Sequence, residues 1–233
     1  MKVADPGFLT DEDVARVQVV ADFLGEKYGE AARVRIDANT AWTVDEAASA
    51  LEFLDRAASG AGGLEYAEQP VETALELSQL KTLTSVPLAA DESIRRSADP
   101  LAVKRLSAAD VAVLKVAPLG GTRRATSLSQ ELGLPAVVSS ALDTSIGIGE
   151  GVLLAAQLPS LDYACGLNTA TMFAADVVDE PLIAQEGTLS VERALELRTA
   201  ELTSHSRAVD SATYEKWEHR LRLMVAHLGE DGV

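Results

Sequence analysis

Three acidic residues, Asp37, Glu68 and Asp91, each close a short apolar run, and a lysine stands on either side of the set, Lys2 upstream and Lys115 downstream. Three carboxylates brought together repel one another and need a cation to stay ionised. A hard divalent ion suits them, and Mg²⁺ is the natural choice because it takes oxygen ligands and keeps positions open for substrate oxygens. Histidine chemistry is nearly excluded. The chain has three histidines, His205, His219 and His227, all near its C-terminal end, and residues 1–200 contain none. A Ser-His-Asp triad, a Cys-His pair or a His-ligated zinc site would have to borrow from that tail. The single cysteine, Cys165, excludes an internal disulfide framework and a Cys-rich metal site, and reads as a small buried residue. The acids, bases and metal ligands of any enzyme here are therefore Lys, Asp and Glu.

The elements that must hold these residues alternate along the chain. Val14, Val17, Ala21, Leu24 and Tyr28 recur at helical spacing behind Thr10 and Asp13, a capping-box start. A strand over 33–36 ends at Asp37. Thr43 and Glu46 cap the next helix, which closes at Ser59-Gly60. Strands follow over 64–67, 86–90, 111–114, 136–138 and 162–164, with helices near 73–83, 98–106, 122–132 and 147–158. The polar strand-end residues Lys2, Asp37, Glu68, Asp91, Lys115, Ser139 and Cys165 are 35, 31, 23, 24, 24 and 26 residues apart, a quasi-repeat of one β/α unit. Strands alternating with helices imply a parallel sheet. Seven units in so short a span favour a (β/α) barrel, incomplete beside the usual eight, over a doubly wound sheet. No G-x-G-x-x-G follows the first strand and no P-loop occurs. Barrel catalytic groups sit at the C-terminal ends of strands, and neighbouring strands lie about 4.8 Å apart. The ordered set Lys2, Asp37, Glu68, Asp91, Lys115 is thus expected to converge at one mouth.

Composition narrows the partners. The 233 residues carry 36 acidic and 20 basic side chains, a net charge of −16. Such a chain repels phosphate backbones and anionic lipid, so no nucleic acid and no membrane partner is expected. No apolar run reaches the ~18 residues of a spanning helix. The N-terminus lacks a signal-peptide core, which points to the cytoplasm.

Four motifs carry a resemblance: Arg35-Ile36-Asp37-Ala38-Asn39, Glu65-Tyr66-Ala67-Glu68-Gln69-Pro70, Ala89-Ala90-Asp91-Glu92-Ser93 and Leu114-Lys115-Val116-Ala117-Pro118-Leu119-Gly120-Gly121. In this order and spacing they resemble the enolase superfamily, over residues 1 to about 190. With Val138 to Ser145 and Ala164 to Thr169, they resemble more narrowly the o-succinylbenzoate synthase family of menaquinone biosynthesis, in its actinobacterial form. The resemblance implies an enolase-type barrel domain at 1–190 and a C-terminal helical region at 191–233 that packs on the barrel or on a capping domain. It implies Mg²⁺ held by Asp37, Glu68 and Asp91, with Lys2 as the base and proton donor and Lys115 as the electrostatic stabiliser on the opposite face. The implied reaction is dehydration of 2-succinyl-6-hydroxy-2,4-cyclohexadiene-1-carboxylate to 2-succinylbenzoate. The alternative within the family is a lysine-based racemase or cycloisomerase, such as an N-succinylamino acid racemase. The family's capping domain and first barrel strand have no counterpart ahead of Met1-Lys2-Val3-Ala4. The sequence therefore reads as a start set inside a longer frame, or as an inactive fragment that retains the ligands.

Supporting residues complete the expected site. Asn39 and Glu92 flank the ligands and are placed to orient them, and Arg35 shares a strand face with Asp37. Ser139, Ser140 and Gly166 are expected to meet a small carboxylate substrate near the N-terminus of the helix at Ile146-Gly147-Ile148-Gly149. Trp42 reads as packing. In the tail, Tyr214, Trp217, Leu221, Met224 and Leu228 fall on one helical face and read as a packing stripe rather than a cofactor site.

Overall fold

The structure, a computed structural model, describes residues 1–5, 7–200 and 209–230, so His205 lies outside the described residues. Helix α1 (Asp11–Tyr28) starts with the expected capping box of Thr10 and Asp13 and stops at Gly29, whose φ of 56° a residue with a Cβ adopts with difficulty. Strand β1 (Val34–Asp37), helix α2 (Val44–Ala57) and strand β2 (Leu64–Glu68) follow, α2 capped by Thr43 and Glu46. Then come α3 (Ala74–Leu80), whose Thr73–Glu76 box closes it in the same way, and β3 (Leu88–Ala90). Two single-turn helices, α4 (Glu92–Arg95) and α5 (Ala102–Arg105), lead to β4 (Val111–Leu114). The remaining elements are α6 (Thr122–Leu132), β5 (Ala136–Val138), α7 (Ser145–Ala155), α8 (Val191–Leu197) and α9 (Ser211–Glu230).

The five strands form one sheet in the order β1-β2-β3-β4-β5, and every neighbouring pair is parallel. Two further segments extend it by single bridges. Lys2 pairs with Asp37 on the β1 side, and Gly166 pairs with Ser139 on the β5 side. Alternation along the strands sorts the core into two populations. Tyr66, Ala89, Val111, Val113 and Val137 pack together on the concave face, joined by Tyr163. Ile36, Ala67, Leu88, Ala90, Ala112, Leu114, Ala136 and Val138 point the other way into the helix layer. A curled parallel sheet with side chains filling its inside and helices outside is an incomplete (β/α) barrel, as the alternation of elements implies.

Two expected elements differ. The strand over 162–164 does not form; the segment joins the sheet at Gly166 alone, through Gly166 N–H to Val138 O (2.9 Å) and Ser140 N–H to Gly166 O (3.0 Å). The Tyr163 ring packs edge-on against Tyr66, and the Ala164 carbonyl accepts from Arg35, in place of a ladder. The helix near 98–106 shrinks to α5, because Pro100 can stand only in the first turn of a helix and Ser107 (φ 50°) breaks it at the other end. Helix α8 packs on α7 through Ala194 and Leu197. In α9, Tyr214, Trp217, Leu221 and Met224 are exposed. Among the described residues no helix is long and apolar enough to cross a membrane.

Candidate active site

Parallel pairing sets the register of the acidic residues. Asp37 stands opposite Glu68 at the ends of β1 and β2, and Asp91 follows the last residue of β3, the strand paired to β2. Lys2 flanks Asp37 through Val3 N–H to Asp37 O (3.0 Å) and Asp37 N–H to Met1 O (2.8 Å). Lys115 follows the last residue of β4. The five residues therefore occupy five consecutive positions around one mouth.

Their charges are interleaved. The Lys2 ammonium bonds the Asp37 carboxylate and donates to Asn39 Oδ1 at 2.5 Å. Lys115 Nζ lies 2.5 Å from Asp91 Oδ2 and 3.7 Å from Glu68 Oε1. Asp91 is fully buried, and its other oxygen accepts from Arg95 Nε at 2.8 Å. Arg95 also reaches Glu92 Oε1 at 2.5 Å. Asn39, at a left-handed φ of 45°, donates its N–H to Asp37 Oδ1 (2.9 Å) and its amide group to Asp37 and Glu92 at 3.4 Å. Glu92 Oε2 is buried with no hydrogen-bond partner. Burial first, and the Asp37 charge second, push the Glu68 carboxyl up to about 7.

The donor set is the test of a metal. The donors are three carboxylates, the oxygen set a hard divalent cation takes. In the present arrangement no three acidic, His or Cys side chains among the described residues close on a common point; the Lys115 ammonium lies between Asp91 and Glu68, and the Lys2 ammonium takes up Asp37. The donor chemistry fits a cation, and binding one requires the lysines to give way.

A cavity of about 330 Å³ opens beside this group, lined by Lys2, Arg35, Asp37, Tyr66, Glu68, Ser139 and Gly166 among others. That volume lies at the small end of ligand pockets. Larger hollows elsewhere, one of about 610 Å³ beside Met1 and Asp162, lack the carboxylate group. A Cβ on Gly166 would stand 2.9 Å from Ser139 Oγ, so a side chain there would require the Ser139 hydroxyl to turn aside. Ser140 is outside the cavity lining and shares a 2.8 Å hydroxyl bond with Thr169. Arg35 turns to the concave interior. Its guanidinium bonds Glu65 and Ala164 O (2.6 Å) and lies over the rings of Tyr66 and Tyr163. Trp42 is buried in the core.

Two residues near the ligands were not singled out by sequence reasoning. Gln69 is fully buried, and its side chain accepts from the N–H groups of Asp91 and Ser93. Arg95 clamps Asp91 and Glu92. Arg95 stands four residues after Asp91, a helical spacing that would have pointed to it. No comparable local signal marks Gln69.

The family description "Enolase C-terminal domain-like" matches residues 1–195. The chain is 53% identical over 193 residues to an o-succinylbenzoate synthase of Thermobifida fusca, covering 83% of this chain and 58% of that protein. It is 49% identical over 195 residues to an o-succinylbenzoate synthase of Mycolicibacterium smegmatis, covering 84% and 57%. The chain therefore spans little more than half the length of these curated relatives. Among solved structures, muconate cycloisomerase from Pseudomonas fluorescens superposes with a TM-score of 0.66 at 28% identity, over 78% of this chain and 49% of that one. The L-Ala-D/L-Glu epimerase from Bacillus subtilis gives 0.62 at 26% identity, over 76% and 49%. The chain belongs to the enolase C-terminal domain-like family.

Proposed function

We propose that this chain is the catalytic barrel of a divalent-cation-dependent o-succinylbenzoate synthase, a carbon–oxygen lyase acting on a small carboxylate in the cytoplasm. The observation that carries the reading is the row Lys2, Asp37, Glu68, Asp91, Lys115 around one mouth, three carboxylates with a lysine at each end, beside a cavity that ends at Ser139 and Gly166. Asp37, Glu68 and Asp91 would hold Mg²⁺. When bound, the ion supplies positive charge to the substrate carboxylate and so acidifies the α-C–H. Lys2, as the free amine, takes the α-proton and becomes an ammonium. The same ammonium gives that proton to the departing hydroxyl, so the net change is loss of one water and Lys2 returns to its starting state. Lys115, buried between Asp91 and Glu68, keeps its charge beside the developing negative charge without transferring a proton. Asn39, bonded to both Lys2 and Asp37, holds the base against the first ligand.

A second reading, racemisation of a succinylated amino acid, is favoured by one feature: a lysine stands at each end of the carboxylate row. One experiment separates the two. The chain is incubated in D₂O with Mg²⁺ and either the cyclohexadiene substrate or an N-succinylamino acid, and product and deuterium are followed by NMR. Dehydration with exchange lost in Lys2→Ala supports the synthase. Exchange of both enantiomers, one lost in Lys2→Ala and the other in Lys115→Ala, supports the racemase. Near-normal dehydration by Lys2→Ala would remove Lys2 from the role given to it.

A further inference from the structure

We infer that Gln69 is the positioning residue that ties the three ligand-bearing strand ends into one unit, an inference that rests on the metal reading of Asp37, Glu68 and Asp91. Gln69 reaches all three through different atoms. It directly follows Glu68 in the chain. Its carbonyl oxygen accepts from Thr40 N–H at 2.7 Å, fixing the turn that carries Asn39 behind Asp37. Its N–H donates to Ala89 O at 2.8 Å, holding β2 to β3 just before Asp91. Its side-chain Oε1 accepts from Asp91 N–H (3.0 Å) and Ser93 N–H (3.1 Å), the two amides that open α4.

The amide nitrogen is satisfied as well, donating to Val71 O (2.8 Å) and Ser93 Oγ (2.8 Å). A side chain with no solvent exposure and every polar atom partnered has one orientation open to it. Its backbone stands at a left-handed φ of 36°, a conformation that costs a residue with a side chain and persists only where the surroundings over-determine it. Asp91 also has its carboxylate fixed, between Arg95 and Lys115. Gln69 fixes the main chain beneath that carboxylate. Without the Oε1 acceptor, two buried N–H groups at the start of α4 lose their partner and the Asp91 backbone is free to turn. The consequence falls on metal affinity before it falls on the fold, because the three carboxylates must share one set of distances to hold a small octahedral ion.

The test is titration calorimetry with Mg²⁺ on the full chain, with thermal melting of each variant without metal. Gln69→Met keeps the length and removes every side-chain hydrogen bond. It should weaken Mg²⁺ binding by roughly tenfold or more, the size of effect found when partners of ligating groups are removed. Ser93→Ala deletes one hydroxyl that Gln69 bonds, leaves the Gln69 amide its bond to Val71 O, and should weaken binding by about threefold, the worth of one modest hydrogen bond. Leu132→Ala, a buried change in α6 remote from the group, lowers the melting temperature and should leave Mg²⁺ affinity unaltered. Asp91→Asn serves as the control on the metal reading itself. If Asp91→Asn loses Mg²⁺ while Gln69→Met and Ser93→Ala bind within twofold of the parent, Gln69 positions nothing and the inference is wrong. If Asp91→Asn binds as the parent does, Asp91 is not a ligand, and the reading on which the inference rests fails before the inference does. Should Gln69→Met not fold, Ser93→Ala against Leu132→Ala decides.

Discussion

Replacing Lys115 by methionine separates two roles that one side chain fills. Lys115 is buried, with its ammonium 2.5 Å from a fully buried Asp91 carboxylate and 3.7 Å from Glu68. Removing one partner of a buried pair typically costs 3–5 kcal/mol, because the other charge stays buried and uncompensated. Arg95 remains on the second Asp91 oxygen, so the cost here should fall to about 2–3 kcal/mol. For a chain of this size that is a fall in melting temperature of roughly 4–12 °C in the absence of metal. The sign reverses once Mg²⁺ is added. The ammonium no longer competes for Asp91 and Glu68, so Lys115→Met should bind the ion more tightly than the parent, by about tenfold for each 1.4 kcal/mol of competition removed. Turnover should nonetheless fall by about 10²–10³, as for loss of one electrostatic stabiliser. Melting curves with and without Mg²⁺, calorimetry and a dehydration assay read all three. A metal-free melting temperature within 2 °C of the parent would show that the Lys115–Asp91 pair does not form in solution. Weaker Mg²⁺ binding would show that Lys115 supports the ion rather than displacing it.

Two further outcomes follow from the same geometry. Asp37→Asn, Glu68→Gln and Asp91→Asn should each weaken Mg²⁺ binding by tenfold or more in calorimetry, since each removes a hard charged ligand; unchanged affinity in all three would sink the site. Asp13 supplies a pH dependence. Burial raises its carboxyl, but hydrogen bonds from Arg16, Thr10 and Ala4 outweigh burial and hold it below the usual aspartate range. A lowered folded value means stability that is complete above the ordinary value of 3.8 and lost as pH falls through the folded one. Asp13→Asn should be less stable near neutrality and show a shallower acid decline; a parallel acid limb in both proteins would refute this.

How much of this the sequence disclosed depends on the range of the interaction. Capping boxes such as Thr10–Asp13 and Thr43–Glu46 are written three residues apart, and both form. The strand ends at Asp37, Glu68 and Asp91 are legible because each closes an apolar run whose partner strand repeats the pattern. Alternation also disclosed the incomplete barrel. What stayed hidden acts across the chain. Gln69 stands in one of the four motifs, but its bonds to Asp91 and Ser93 span 22 and 24 residues and no local pattern shows them. The sequence places both lysines at the mouth, but not that the Lys115 ammonium settles between Asp91 and Glu68. The repeat of the β/α unit places a strand at 162–164, but the segment makes only the bridge at Gly166, since the Tyr163 ring packs on Tyr66 and the Ala164 carbonyl accepts from Arg35.

Because the order of strands in space is their order in the chain, each ladder is closed by a short local crossover and no strand waits for a distant one. The sheet therefore behaves as a linear array, with cooperative units that open from its ends inward. Amide exchange should be slowest in β2, β3 and β4, which carry Glu68, Asp91 and Lys115, and fastest at the single rungs of Lys2 and Gly166. Glu68 and Asp91 sit in the last part of the array to open, whereas Asp37 on β1 lies next to the rung of the proposed base, so local opening at this edge should release Lys2 from the mouth before Glu68 and Asp91 lose their places.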